Sequence, residues 1–136
     1  MKRILFVCVH NAGRSQMAEA FFNLMGKGKA EGFSAGTQPA NKVHPVVVEA
    51  MREVGVDISR QKPKMLTFEM LKSADRVITM GCNAAEVCPA SLVPTENWEL
   101  DDPEGKMIEQ VRQIRDEVKA RVEKLIEELD IGTDFT

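Results

Sequence analysis

Two hydrophobic patterns alternate along the chain. Ile4-Leu5-Phe6-Val7 is an unbroken apolar run, as expected for a strand covered on both faces. From about Ser15 to Met25, the positions Met17, Phe21, Leu24 and Met25 recur at helical spacing, and Gly26 and Gly28 close that helix. Phe33-Ser34-Ala35, ended by Gly36, predicts a short second strand. Pro45 opens a second helix with Val46, Val47, Ala50, Met51 and Val54 on its apolar face, and Gly55 stops it. Thr67 to Ala74 predicts a short helix, Arg76 to Met80 a strand ended by Gly81, and Asn97 to Leu100 a shorter fourth strand. The last helix is predicted from about Glu104 to Leu129. Met107, Val111, Ile114, Val118, Val122 and Leu125 mark its apolar side, and the pair Glu117 and Arg121 lies on its charged side. Strands alternating with helices predict an α/β domain around a parallel sheet.

Composition narrows the partners. The 136 residues suit one domain, read here as residues 1–136, with room for one core. A net charge of −3 argues against a broad nucleic-acid or anionic-membrane surface, which needs clustered Lys and Arg. A small anion remains open, because it needs only a local positive site. No stretch approaches the roughly 20 apolar residues of a membrane helix. The run after Lys2-Arg3 is too short for a secretory signal core, so the cytoplasm is the expected compartment. There, three cysteines do not read as a disulfide scaffold. They are either inert core thiols or chemistry, and a monomer is expected.

The chemistry concentrates in Cys8-Val9-His10-Asn11-Ala12-Gly13-Arg14-Ser15, a Cys-x5-Arg loop between a buried strand and a helix start. Amide groups at a helix N-terminus are unpaired, and the helix dipole adds positive charge there. The backbone of Val9 to Ser15 is therefore expected to form an anion cradle. Arg14 adds a planar fork for two oxygens of a tetrahedral anion. The same field favours the thiolate of Cys8, a nucleophile, and Ser15 can donate a hydrogen bond to that sulfur. Asn11 and Gly13 suit the backbone angles of a tight loop.

The segment from Cys8 to Glu19 resembles the loop and helix of the low-molecular-weight protein tyrosine phosphatase family, and most resembles its thioredoxin-coupled arsenate reductase branch. The likeness extends through Ser34-Ala35-Gly36, Glu49-Ala50-Met51, Asp57-Ile58-Ser59, Cys82 to Pro89 and Trp98 to Pro103. It implies a three-layer α/β/α sandwich with four parallel strands in the order 2-1-3-4. It also implies reduction of arsenate to arsenite, with phosphate or sulfate as competing anions. Cys8 attacks arsenic, Cys82 resolves the adduct, and Cys88 takes over the disulfide, which thioredoxin or a similar dithiol reduces. The segment between Cys82 and Cys88 is one residue shorter than in the arsenate reductases of the family. The Asp directly before Pro103 is the family's general acid, which assigns that role to Asp102, while Asp101 reads as a turn or cap residue.

The residues by themselves leave other readings open. Cys82 and Cys88 do not form a zinc pattern, and two inert cysteines are the plain alternative. Sheet topology argues for the relay, because residues just past parallel strands share one edge, and Cys8 and Cys82 each follow a strand. Both Asp101 and Asp102 could simply cap the last helix. Asn11, Glu19 and Ser34 match a potassium site of some arsenate reductases, but Lys64 stands where its fourth ligand, an Asp, is expected. No cofactor and no bound metal are therefore expected, and His10 and His44 read as lone histidines. The competing function is a phosphatase acting through a phospho-cysteine at Cys8, with Arg14 and Asp102. A non-catalytic oxyanion-binding or redox-sensing domain is the third. The phosphatase needs neither Cys82 nor Cys88, and tyrosine phosphatases of the family carry tyrosines beside the Asp-Pro step, whereas this chain has none.

Overall fold

The structure, a computed structural model, describes residues 2–80 and 95–134. Strand β1 (Lys2–Cys8) pairs in parallel with β2 (Ala30–Gly36) on one side and β3 (Arg76–Thr79) on the other. Strand β4 (Thr95–Asn97) extends the sheet beyond β3, giving the order β2-β1-β3-β4. This is the four-stranded parallel sheet and strand order expected.

The alternation of side chains along β1 divides the core. Ile4, Phe6 and Cys8 face the larger apolar cluster, with Phe21 and Phe22 from α1 (Arg14–Met25), Met51 from α2 (Pro45–Arg52) and Val118 from α4 (Ile108–Asp134). Leu5 and Val7 face the opposite side, against Leu71 of α3 (Phe68–Ser73). Helices on both faces make three layers, and they explain why β1 is apolar at every position from Ile4 to Val7. Phe22 is fully buried and meets Phe6 edge-on at a centroid separation of 5.6 Å. Gly32 runs beneath it so closely that a Cβ there would come within 3.0 Å of the Phe22 ring.

Element boundaries depart from the periodic pattern where polar groups intervene. The fourth strand ends at Asn97, before most of the predicted Asn97 to Leu100 segment. Trp98 instead turns into the core, its backbone N–H bonding the Thr79 carbonyl at 2.8 Å. The last helix begins at Ile108 rather than Glu104. Asp102 Oδ1 accepts a hydrogen bond from the Glu104 N–H, and Gly105 takes a φ of +73°, so a turn occupies those residues. Gln110 Oε1 then accepts from the Met107 N–H, half of a capping box. Leu24, Val54 and Met107, all assigned to buried faces by their spacing, are exposed. Val54 and Met107 fall outside their helices, while Leu24 lies on the outer side of α1, where Phe22 takes the inner one.

Helices α2 and α4 are clasped at Glu53, which accepts from Arg112 Nη2 at 2.7 Å and Arg115 Nη1 at 3.0 Å. The Arg112 hydrogen bond is the larger influence holding the Glu53 carboxyl below its ordinary range. The clasp therefore contributes fully above the unfolded carboxylate range and fades as pH falls through the lowered folded value. Among the described residues, no helix is long and apolar enough to cross a membrane.

Replacing Phe22 tests the packing between sheet and helices. Phe22→Ala is expected to cost about 3–5 kcal/mol of unfolding free energy, measured by urea titration, because a fully buried ring leaves a cavity. A loss below about 1 kcal/mol would contradict this packing.

Candidate active site

The sheet carries its chemistry at the C-terminal ends of its strands, where open α/β sheets bind ligands. Cys8 is the last residue of β1, and its register partner is Gly36, the last of β2. The segment after β4 brings Asp102 and Pro103 over the same edge.

The loop from Val9 to Gly13 is held by its carbonyls. Val9 O accepts from Gln38 N at 2.8 Å, His10 O from Ala40 N at 3.0 Å, and Ala12 O from His44 N at 2.9 Å. Asn11 O accepts from Gln16 Nε2 at 3.0 Å. With its carbonyls tied outward, the loop turns its amides inward. Among the described residues, no hydrogen bond takes up the amide N–H groups of residues 10–15. Gly13 sits at the N-cap of α1 without a side-chain cap, so among the described residues no side chain takes up the first-turn amides either. The loop that follows Cys8 thus has its carbonyls engaged and its amides available, the arrangement an anion cradle needs.

Asn11 sets the shape of the loop. It adopts the left-handed conformation, with φ +51°, and is fully buried. Its Oδ1 accepts from Gln16 Nε2 at 3.0 Å and from the Lys64 N–H at 2.9 Å. Its Nδ2 donates to Ser15 Oγ at 2.7 Å. Ser15 Oγ lies 2.8 Å from Cys8 Sγ. A hydroxyl that already accepts from Asn11 keeps its own proton to donate to the sulfur. Gln16 is fully buried, also bonds the Lys62 carbonyl, and accepts a hydrogen bond from Gln61. Gln16 and Gln61 were not singled out in the sequence; the only sign was a Gln on the buried side of an amphipathic helix.

Arg14 is 6% exposed. Its Nη1 donates to the Leu100 carbonyl at 3.1 Å, and its Nη2 lies 3.6 Å from Asp102 Oδ2. Its buried Nε has no hydrogen-bond partner among the described residues. A buried guanidinium N–H left unpaired costs energy, and an oxyanion in the cradle satisfies it. Asp102 is half exposed at the rim. The structure therefore brings together Cys8, Arg14, Ser15, Asp102 and the loop from Val9 to Gly13. Cys82 and Cys88 lie outside the described residues.

The Glu19 side chain accepts from Ser34 Oγ at 2.8 Å, and Lys64 Nζ approaches the same oxygen at 3.7 Å. A lysine ammonium thus stands beside Glu19 and Ser34, while Asn11 Oδ1 is occupied by Gln16 and the Lys64 amide.

Two glycines are required by close approach. A Cβ on Gly36 would lie 2.6 Å from the Val9 carbonyl oxygen and 2.9 Å from the Asn11 nitrogen, both backbone atoms. A Cβ on Gly13 would lie 2.6 Å from Pro103 Cγ, which brings the Asp102 segment against the loop. Gly36→Ala is expected to displace the loop and weaken inorganic phosphate binding roughly 10- to 100-fold by calorimetry, with the circular dichroism spectrum retained. Unchanged affinity would contradict the packing of β2 against the cradle.

Comparison with known proteins gives the same picture. The chain matches the model of the low molecular weight phosphotyrosine protein phosphatase family over residues 3–133. A glutaredoxin arsenate reductase of Synechocystis sp. is 40% identical over 129 residues, covering 93% of this chain and 97% of that protein. The thioredoxin-dependent arsenate reductase of Corynebacterium glutamicum superposes with a TM-score of 0.84 at 38% identity. That match covers 97% of this chain and 63% of the other, so the present chain spans less than two thirds of its length. The YwlE arginine phosphatase of Geobacillus stearothermophilus superposes with a TM-score of 0.87 at 26% identity, covering 97% and 95% of the two chains. With the strand order, the Cys-x5-Arg cradle and the match from residue 3 to residue 133 in agreement, the chain belongs to the low molecular weight phosphotyrosine protein phosphatase family.

Proposed function

We propose that this protein reduces arsenate to arsenite by nucleophilic attack of Cys8 and a thiol relay through Cys82 and Cys88. The observation that carries this reading is the buried Arg14, its Nε unpartnered, beside inward-facing amides and the Cys8 sulfur bonded to Ser15. That set binds a tetrahedral oxyanion and places a nucleophile against its central atom. The arsenate reductase names of similar proteins and the presence of two further cysteines support reduction over hydrolysis.

Arsenate binds with its oxygens on the amides of Val9 to Ser15 and on Arg14. Phosphate and sulfate, of the same shape, compete. The Cys8 thiolate attacks arsenic, an S–As bond forms, and an oxygen departs with a proton from Asp102. The Cys82 thiolate then attacks Cys8 Sγ. An S–S bond forms and the S–As bond breaks, leaving its electron pair on arsenic, which departs as arsenite. Cys88 attacks Cys82, freeing Cys8 as a thiolate. The resulting Cys82–Cys88 disulfide is reduced by an external dithiol of the thioredoxin type. Two electrons cross from thiols to arsenic in each cycle. The protein acts as a monomer in the cytoplasm, the reducing compartment where such dithiols are maintained.

A phosphatase is the second reading, because Cys8, Arg14 and Asp102 suffice for a phospho-cysteine intermediate and the arginine phosphatase shares the fold. The two separate cleanly in one coupled assay. NADPH oxidation with arsenate, thioredoxin and thioredoxin reductase is expected to lose multiple turnover in Cys82→Ser and in Cys88→Ser. Asp102→Asn is expected to slow the first chemical step roughly 100- to 10,000-fold. Undiminished turnover in both Ser variants would reject the relay, and fast aryl phosphate hydrolysis unaffected by them would favour the phosphatase.

A further inference from the structure

The mouth of the cradle holds a second cluster of chemistry-bearing side chains. His44 occupies the N-cap position of α2, its backbone N–H tied to the loop at Ala12. Asp102 and Glu104 come from the turn before α4, braced by the 2.9 Å bond from Glu104 N to Asp102 Oδ1. One ligand atom from each of His44, Asp102 and Glu104 lies within 4.8 Å of the other two. Donors around a tetrahedral Zn²⁺ at about 2.0–2.1 Å stand roughly 3.4 Å apart, so rotation of exposed carboxylates closes the set. Glu104, with a side chain 58% exposed, supplies most of that adjustment, because Asp102 is held through Oδ1 by the Glu104 N–H and keeps only its Oδ2, facing Arg14, for a cation.

His10 supplies an independent observation. Its Nδ1 lies 3.0 Å from the Gln38 carbonyl oxygen, which can only accept. Nδ1 therefore carries the proton, and in the neutral ring the Nε2 lone pair faces Glu104 Oε2 at 3.9 Å. In that form two acceptors face each other, and either a proton on the ring or a cation between them joins the pair. A backbone carbonyl on the far ring nitrogen is also how metal-binding imidazoles are oriented. The opposing charge is Arg14, whose Nη2 is 3.6 Å from Asp102 Oδ2; the second carboxylate, on Glu104, outweighs it.

We propose that His44, Asp102 and Glu104, with His10 flanking Glu104, form an inhibitory site for a borderline divalent cation of the Zn²⁺ class. Imidazole with carboxylate suits Zn²⁺, whereas Mg²⁺ and Ca²⁺ take oxygen ligands. A bound cation captures the Asp102 carboxylate and so removes the proton donor from the cradle. The inhibitory consequence rests on the proposed reaction; the binding does not.

The test begins with the full-length chain carrying Cys8→Ser, Cys82→Ser and Cys88→Ser, which removes every thiol that could bind zinc. Calorimetric titration with zinc chloride is expected to show one Zn²⁺ per chain, weakened roughly tenfold or more by His44→Ala and by Glu104→Gln. Absence of binding, or affinity unchanged by both substitutions, overturns the site, whatever reaction the protein performs. In the thiol-intact protein, Zn²⁺ is expected to inhibit turnover reversibly, with chelator restoring it. His44→Ala, compared with its own metal-free rate, is expected to need roughly tenfold more Zn²⁺ for the same fractional inhibition. Equal sensitivity of the two proteins assigns the inhibition to the thiols and overturns the inhibitory role.

Discussion

Everything at the catalytic edge depends on where the loop carbonyls go. Those of Val9, His10 and Ala12 are taken by the segment from Gln38 to His44, and that of Asn11 by Gln16. A peptide unit cannot point its carbonyl out without pointing its N–H in, so these bonds convert a short turn into an anion cradle. The cost is paid in buried polar atoms and strict backbone geometry. Asn11 holds a left-handed conformation, which its own side-chain bonds secure, and Gly36 stays bare because the Val9 carbonyl lies against it.

The cradle's charge balance follows. Unpartnered amides, the start of α1 and the Arg14 guanidinium all favour negative charge in front of β1, which on the proposed reading is that of the bound oxyanion. Asp102 sits at the rim rather than in the floor, held through its Oδ1 by the Glu104 amide and facing Arg14 through Oδ2. On the proposed reaction, a carboxyl there serves a departing oxygen without opposing the anion at its centre. The family's arsenate reductases and arginine phosphatase share this fold. Fold alone therefore does not select between a second thiol and water as the group that resolves the Cys8 adduct. On the proposed reading, that choice belongs to Cys82 and Cys88.

Much of this was legible in sequence because it is local. The apolar run of β1, the Gly-ended helices and the Cys-x5-Arg loop each express backbone rules within a few residues. The resemblance of Cys8 to Glu19 to known enzymes extended that reading to strand order and to Asp102. What was illegible depends on contacts between distant segments. Nothing near Gln16 announces that it will bridge Asn11, Lys62 and Gln61. His44 reads as a lone histidine until folding sets it beside Asp102 and Glu104. The start of α4 was misplaced because Glu104 and Gly105 carry no apolar signal, so only the Asp102 turn and the positive φ of Gly105 reveal the boundary.

The proposed reaction requires Cys8 to act as a nucleophile on an oxyanion bound in the cradle. Its most direct measurement is the rate of Cys8 alkylation by iodoacetate at neutral pH, read by peptide mapping, with and without arsenate. The account predicts reaction much faster than for a free cysteine, slowed in proportion to arsenate occupancy and reduced in Ser15→Ala. A rate like that of free cysteine, indifferent to arsenate, would contradict it.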